Sequence, residues 1–294
     1  MVHKRGYMQI MRTIALLSIF SQFSYPTPLR EQFKHAGYVE LRYGQHGVAT
    51  FDALYTYFDE FIAFAHANPA WAHILYRAKE RFIRSSERSY YATDFFGFYD
   101  ESTIEGRNQV SFYYATHFHA FVCSHYPESK TVPEIVRFFQ ACFEIQKSCT
   151  DIFAQVATEL GIDTIFSCAH GQPPILLKVV KYFPSYRATR PHYDGTAFSL
   201  FLDSTDNQAL LLSAYKVSFA VDDFYCPTRI FSREQKQNSI LLIPGSLLTD
   251  FAIYPTPHIV VHSGSTRYAT IAFAMRPEYI SQKNELSSLP NFKD

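Results

Sequence analysis

The sequence carries no charge of one sign in excess: Lys+Arg and Asp+Glu are 27 each, for a formal net charge of zero. Without a basic surplus there is nothing to call for nucleic acid, and without a charge block nothing marks a membrane surface. Cysteine is scarce as well. The five residues, Cys123, Cys142, Cys149, Cys168 and Cys226, are odd in number and form no Cys-x-x-Cys pair. That argues against a disulfide framework or a zinc ribbon and for a reducing, cytoplasmic compartment. No apolar run is long enough to span a bilayer. There is also no glycine-rich phosphate loop, no internal repeat and no low-complexity segment.

One stretch imitates a targeting signal. Lys4 and Arg5 precede a fairly apolar segment from Met8 to Phe20, but Arg12, Ser18 and Gln22 interrupt it and no small-x-small cleavage site follows. The segment Thr13-Ile14-Ala15-Leu16-Leu17 reads instead as a first strand.

What the chain has is length and rings. Its 294 residues can bury a sizeable core, and 28 Phe and 21 Tyr will line that core and any cavity in it. The organisation expected is a single domain over 1–294, with an α+β division and no Pro/Gly/Ser linker between its halves. Residues 13–165 read as mainly helical. Phe51 to Ala67 and Ala70 to Ile83 show apolar positions at helical spacing. Thr131-Val132-Pro133-Glu134 is a capping-box pattern with proline in the first turn, opening a helix of about 28 residues that Gly161 stops. From 175 to 277 the period changes to short strands: Leu176–Tyr182, Thr196–Leu202, Ala209–Tyr215, Val217–Val221, Ser239–Ile243, His258–His262 and Tyr268–Met275. Prolines and polar turns separate them, a pattern of a barrel or sandwich and not of βαβ units. Residues 278–294 are polar and patternless, a tail.

Within the strand-rich half, His192-Tyr193-Asp194 is the most informative motif. Two residues at i and i+2 on a strand face the same way, so His192 and Asp194 can grip one metal ion. A His-x-Asp also occurs by chance and would by itself fit a surface turn. His258, mounted at the start of a β-branched strand, supplies a third ligand. Two imidazoles and a carboxylate make the facial site that suits iron(II), with open positions for oxygen chemistry. Arg267 opens the next apolar strand, and an inward arginine there needs an anionic partner. His262 rivals His258, because four residues along a strand return to the same face; the spacing to Arg267 favours His258. His117-Phe118-His119 has a similar i, i+2 pattern but no acidic third ligand, and reads better as a pair of core or groove histidines. His35, His66, His73, His125 and His170 read as surface or capping residues. Tyr90-Tyr91, Phe95-Phe96 and Tyr113-Tyr114 read as core.

At these residues the sequence resembles the non-haem iron(II) and 2-oxoglutarate-dependent oxygenases, and among them the isopenicillin N synthase-like subgroup. That family carries His-x-Asp, a distal histidine and an arginine about ten residues on, all on a double-stranded β-helix (jelly roll). Thr256-Pro257-His258, the strand Arg267 to Phe273, Ile243-Pro244-Gly245-Ser246-Leu247-Leu248 and Val156 to Gly161 all match family segments. Gly37-Tyr38 with His46-Gly47-Val48 resembles an N-terminal motif of the subgroup, with about two extra residues between. The resemblance implies N-terminal helices packed on a jelly-roll core. It implies Fe(II) on His192, Asp194 and His258, with Arg267 anchoring the far carboxylate of the co-substrate 2-oxoglutarate. Its decarboxylation to succinate and carbon dioxide, with dioxygen, would drive hydroxylation or desaturation of a small-molecule substrate.

Two departures stand out. Ala269 occupies the position where the family places a serine, and Lys181 and Phe183 stand where it has Asn-x-Tyr. Losing two neutral hydrogen bonds implies a weakening of co-substrate binding by about 1–3 kcal/mol. An oxidase of the isopenicillin N synthase type, drawing its electrons from the substrate, would tolerate those losses. A non-catalytic jelly-roll binding protein is the third reading, and the intact triad weighs against it.

Overall fold

A computed structural model describes residues 27–42, 47–85, 96–105, 107–163, 175–184, 189, 191–206, 209–213, 224–225, 239–261 and 264–274. The strands expected at 13–17 and 217–221, the tail at 278–294, and His46, Tyr90, Tyr91, Phe95, His170 and His262 lie outside the described residues.

Among the described residues the first half holds five helices: α1 (Leu29–Ala36), α2 (Gly47–Ala67), α3 (Pro69–Ser85), α4 (Thr116–His125) and α5 (Pro133–Leu160). Three strands lie there too, β1 (Val39–Arg42), β2 (Gly97–Asp100) and β3 (Gln109–Tyr114), in a part that the sequence pattern read as mainly helical, with a strand expected only at 13–17. Each is only four to six residues long, too short for periodicity to separate it from a loop. The second half supplies β4 (Ile175–Tyr182), β5 (Phe198–Ser204), β6 (Leu210–Ser213), β7 (Phe224–Tyr225), β8 (Ser239–Pro244), β9 (His258–Val260) and β10 (Arg267–Ala274).

Helix α5 runs 28 residues and buries Ile135, Phe138, Phe139, Cys142, Ile145 and Cys149 at helical spacing, with Pro133 in its first turn. Its end is as the sequence suggests: Gly161 takes the left-handed conformation (φ 68°) and returns its N–H to the carbonyls of Ala157 and Thr158. The start is not. No side chain caps the helix, and the Thr131 hydroxyl donates back to the Glu128 carbonyl at 2.8 Å. A preceding 3₁₀ turn, Pro127–Lys130, takes that hydroxyl out of capping reach.

Two antiparallel sheets form the core of the second half. The larger has strand order β1-β8-β5-β10-β4-β3-β2 and the smaller β7-β6-β9. One face of the large sheet carries Leu177, Val179, Leu200, Leu242 and Ala272 into the main core, beneath α2 and α5. Rings dominate there: Phe61 of α2 lies 5.4 Å from Phe112 of β3 and 5.0 Å from Phe138 of α5. The other face carries Phe201, Leu241, Ile243 and Ile271 against Leu210 and Leu212 of the small sheet. Central strands β5 and β8 are thus buried on both faces, which is why they read as continuous apolar runs. The architecture is α+β, with a jelly-roll core and N-terminal helices packed on one face. Among the described residues no helix is long and apolar enough to cross a membrane.

Candidate metal centre and anion pocket

The segment carrying His192 does not form a strand; it lies along β9 through a single antiparallel bridge. His192 N–H donates to the His258 carbonyl at 3.0 Å, and His258 N–H returns a bond to the His192 carbonyl at 2.7 Å. Thr189 extends the pairing, its N–H donating to the Val260 carbonyl at 2.8 Å. Residues directly opposite across an antiparallel pair present their side chains together. The two imidazoles accordingly lie with ring centroids 4.4 Å apart.

Asp194 follows in the loop into β5, and that loop is pinned by the turn after β8. Ser246 N–H donates to the Asp194 carbonyl at 2.9 Å, Gly245 N–H to Ala197 at 2.9 Å and Leu247 N–H to Thr196 at 3.1 Å. Gly245 has to be glycine for this: a Cβ there would stand 2.0 Å from the Thr196 carbonyl oxygen. The carboxylate then sits between the imidazoles, Oδ1 4.0 Å from His192 Nε2 and Oδ2 3.7 Å from His258 Nε2. One ligand atom from each of the three residues falls within 4.8 Å of the others.

His258 has the geometry of a possible ligand. Its Nδ1–H donates to the Thr256 carbonyl at 3.2 Å, leaving the Nε2 lone pair to face Asp194. Thr256 is itself tied down, its hydroxyl donating to the Gly37 carbonyl across 219 positions of sequence. Burial pushes the His258 pKa down, and the His192 charge adds to that; Asp194 and the Thr256 carbonyl oppose it. A neutral imidazole is the form that binds metal. Two imidazoles and a carboxylate, one side open since His192 is 43% exposed, fit a facial iron(II) site.

Beyond the triad a cleft opens between the two sheets, about 360 Å³ of space that includes open solvent, with Asp203, Ser204 and Asp206 among its lining residues. Phe201 belongs to both regions: it lines the cleft and meets the His258 ring edge-on, centroids 5.8 Å apart. Leu210, Val260 and Ile271 continue the apolar wall, and Arg267 lies in it. Only 3% of Arg267 is exposed. Its guanidinium carbon stands 3.9 Å from the centre of the Tyr182 ring, a cation–π stack, and its Nη2 lies 3.5 Å from the Val261 carbonyl.

Tyr182 corrects the expectation drawn from Lys181 and Phe183. In the β4–β10 register Arg267 faces Tyr182 and Ala269 faces Val180. It is therefore Val180 and Tyr182 that share the cleft side with Arg267, and a tyrosine is present where Phe183 implied none. Lys181 and Phe183 turn to the helical side. Lys181 Nζ binds Asp59 of α2 at 2.9 Å and lies over the rings of Phe183 and Tyr268. The loss at Ala269 stands: it makes a small apolar cluster with Val180, Tyr182 and Val260.

Among the described residues, other histidines that the sequence singled out have partners away from the centre. His117 and His119 sit on helix α4, where i, i+2 positions diverge. His119 Nδ1 meets the Tyr114 hydroxyl at 2.8 Å. His66 pairs with Asp100 at 2.7 Å, His35 with Glu31 at 3.4 Å, and His125 stacks on Phe121. Sequence reasoning passed over Ser199, whose hydroxyl reaches Asp194. The signal was a lone polar residue in the apolar run Ala197-Phe198-Ser199-Leu200-Phe201.

Neither a protein-family model nor a curated protein sequence matches the chain. Solved structures do match in shape. A full-length Neurospora crassa protein in complex with alpha-KG and 5-formyluracil superposes with a TM-score of 0.52 at 14% identity, over 84% of this chain and 76% of that one. The dioxygenase for auxin oxidation of rice gives 0.52 at 13% identity, over 85% and 77%. The dioxygenase for auxin oxidation 1 of Arabidopsis thaliana, bound to 2-oxoglutarate, gives 0.50 at 16% identity, over 85% and 86%. The fold is the jelly roll that these oxygenases carry.

Proposed function

We propose that this chain is an iron(II)-dependent oxygenase in which 2-oxoglutarate decarboxylation is coupled to hydroxylation or desaturation of a small organic substrate. One observation carries the reading: three donors of a facial triad converge within 4.8 Å, and the cleft beside them holds a buried arginine. Iron bound there would supply the activation of dioxygen that no protein side chain provides.

The chain's own residues do the rest. His192, Asp194 and His258 are the metal ligands. Arg267 receives the far carboxylate of 2-oxoglutarate, a charge-assisted contact. Tyr182 holds the guanidinium in place by stacking. Phe201, Leu210, Val260 and Ile271 supply the apolar part of the wall around that contact. The exposed side of His192 is the approach for substrate. Neighbours in fold bound to 5-formyluracil or acting in auxin oxidation support a small molecule of that size. Within this class the motif spacing puts the chain beside the isopenicillin N synthase-like subgroup, as one domain spanning 1–294 in a reducing compartment.

Anaerobic addition of Fe(II) and then 2-oxoglutarate tests the reading. A visible metal-to-ligand charge-transfer band is expected for the wild-type chain and not for His258→Ala. No band in the wild type would refute the proposal.

A further inference from the structure

Ser199 lies on the inner face of β5 and has no solvent exposure. Its Oγ stands 2.5 Å from Asp194 Oδ2, and Thr196 Oγ1 lies 3.2 Å from Ser199 Oγ. An ionised carboxylate can only accept, so the single proton of Ser199 goes to Asp194. Ser199 Oγ is then left as the acceptor for the Thr196 hydroxyl proton. The relay runs one way, from Thr196 through Ser199 to Asp194 Oδ2. Meanwhile Oδ1 lies on the His192 side, 4.0 Å from its Nε2.

We propose that Ser199, supported by Thr196, is a positioning residue that fixes the rotation of the Asp194 carboxylate and so presents it for metal binding. The inference rests on the triad being a metal site. The backbone of Asp194 is held by Ser246, but that bond does not set the plane of the carboxylate, and a terminal carboxylate torsion is soft. Ser199 supplies the missing restraint. It sits two residues before Phe201 on the same face of a strand buried on both sides, a rigid mount for it. Outer partners of ligating groups matter in this way: removing one costs about 10–100-fold in metal affinity.

The test uses Mn(II), a redox-silent probe, titrated into metal-free protein with free ion read by electron paramagnetic resonance. Wild type, Ser199→Ala, Ser199→Thr, Thr196→Val and His258→Ala are compared, with melting temperatures recorded alongside. Ser199→Ala is expected to bind Mn(II) about 10–100-fold more weakly. Ser199→Thr, which keeps the hydroxyl, should recover most of that loss. A purely packing role would not make recovery follow the hydroxyl. Thr196→Val should weaken binding by about 2–10-fold, the size of one indirect hydrogen bond, and it decides the matter if Ser199→Ala fails to fold. Wild-type affinity in Ser199→Ala, or in Thr196→Val where that variant must decide, overturns the inference and leaves the triad standing. A wild-type chain that takes up no Mn(II), like His258→Ala, would remove the triad reading and the inference together.

Discussion

Tyr182 and Arg267 show how much a single position decides. The guanidinium is buried and stacked at 3.9 Å on the tyrosine ring, an arrangement worth about 0.5–2 kcal/mol. Replacing Tyr182 with leucine keeps apolar volume and removes the ring face. The Michaelis constant for 2-oxoglutarate should then rise about 2- to 30-fold with little change in metal affinity. Steady-state kinetics over a range of 2-oxoglutarate concentrations, with Mn(II) binding as control, checks this; an unchanged constant would contradict the stacking role. The convergence of His192, Asp194 and His258 and the burial of Arg267 were legible in the sequence because the chemistry and spacing of these residues are unusual together. Tyr182 was not. Side chains alternate along a strand, so reading the motif back from Pro184 put the wrong set of residues on the cleft side. Only the pairing of Arg267 with Tyr182 settles which face is which.

At the scale of elements, the loop that carries Asp194 depends on the turn after β8. A methyl group at Gly245 would meet the Thr196 carbonyl at 2.0 Å, and backbone cannot yield as a side chain does. Gly245→Ala should cost about 1–3 kcal/mol, measurable as a lower denaturation midpoint, and should weaken Mn(II) binding because Asp194 moves with the loop. Stability lost with metal affinity intact would show that turn and ligand are uncoupled. Helix α4 carries a pH dependence of its own. Burial holds the His119 pKa below its ordinary 6.5, so the unfolded chain binds the proton first as pH falls. The associated stability is complete above about 6.5 and declines as pH drops from there toward the depressed folded value. Melting temperatures measured from neutral to mildly acid pH should fall less steeply in His119→Gln than in the wild type. Equal slopes would rule His119 out as the source. Strand-rich 175–277 was legible as short segments between breakers, and α5 by its period and its Gly161 stop. The strands among the helices were not, since β1 owes its state to pairing with β8, β3 to pairing with β4 and β2 to pairing with β3, and not to their own pattern.

For the whole molecule, the two sheets bring together residues that are distant in sequence. Gly37 meets Thr256 and so His258; Ser246 meets Asp194; Tyr182 meets Arg267. The sequence could announce a facial triad, while the supports of each ligand exist only after the sheets close. A ligand that binds the folded state alone must stabilise it, by about 2.7 kcal/mol at a hundred times its dissociation constant. The most direct measurement is the iron bound per chain after anaerobic loading and desalting, for the wild type and for Asp194→Ala. The account predicts one iron per wild-type chain, a higher melting temperature with it, and little or none of either in Asp194→Ala. Equal iron in the two proteins would mean that positions 192, 194 and 258 do not share an ion, and the account would be wrong.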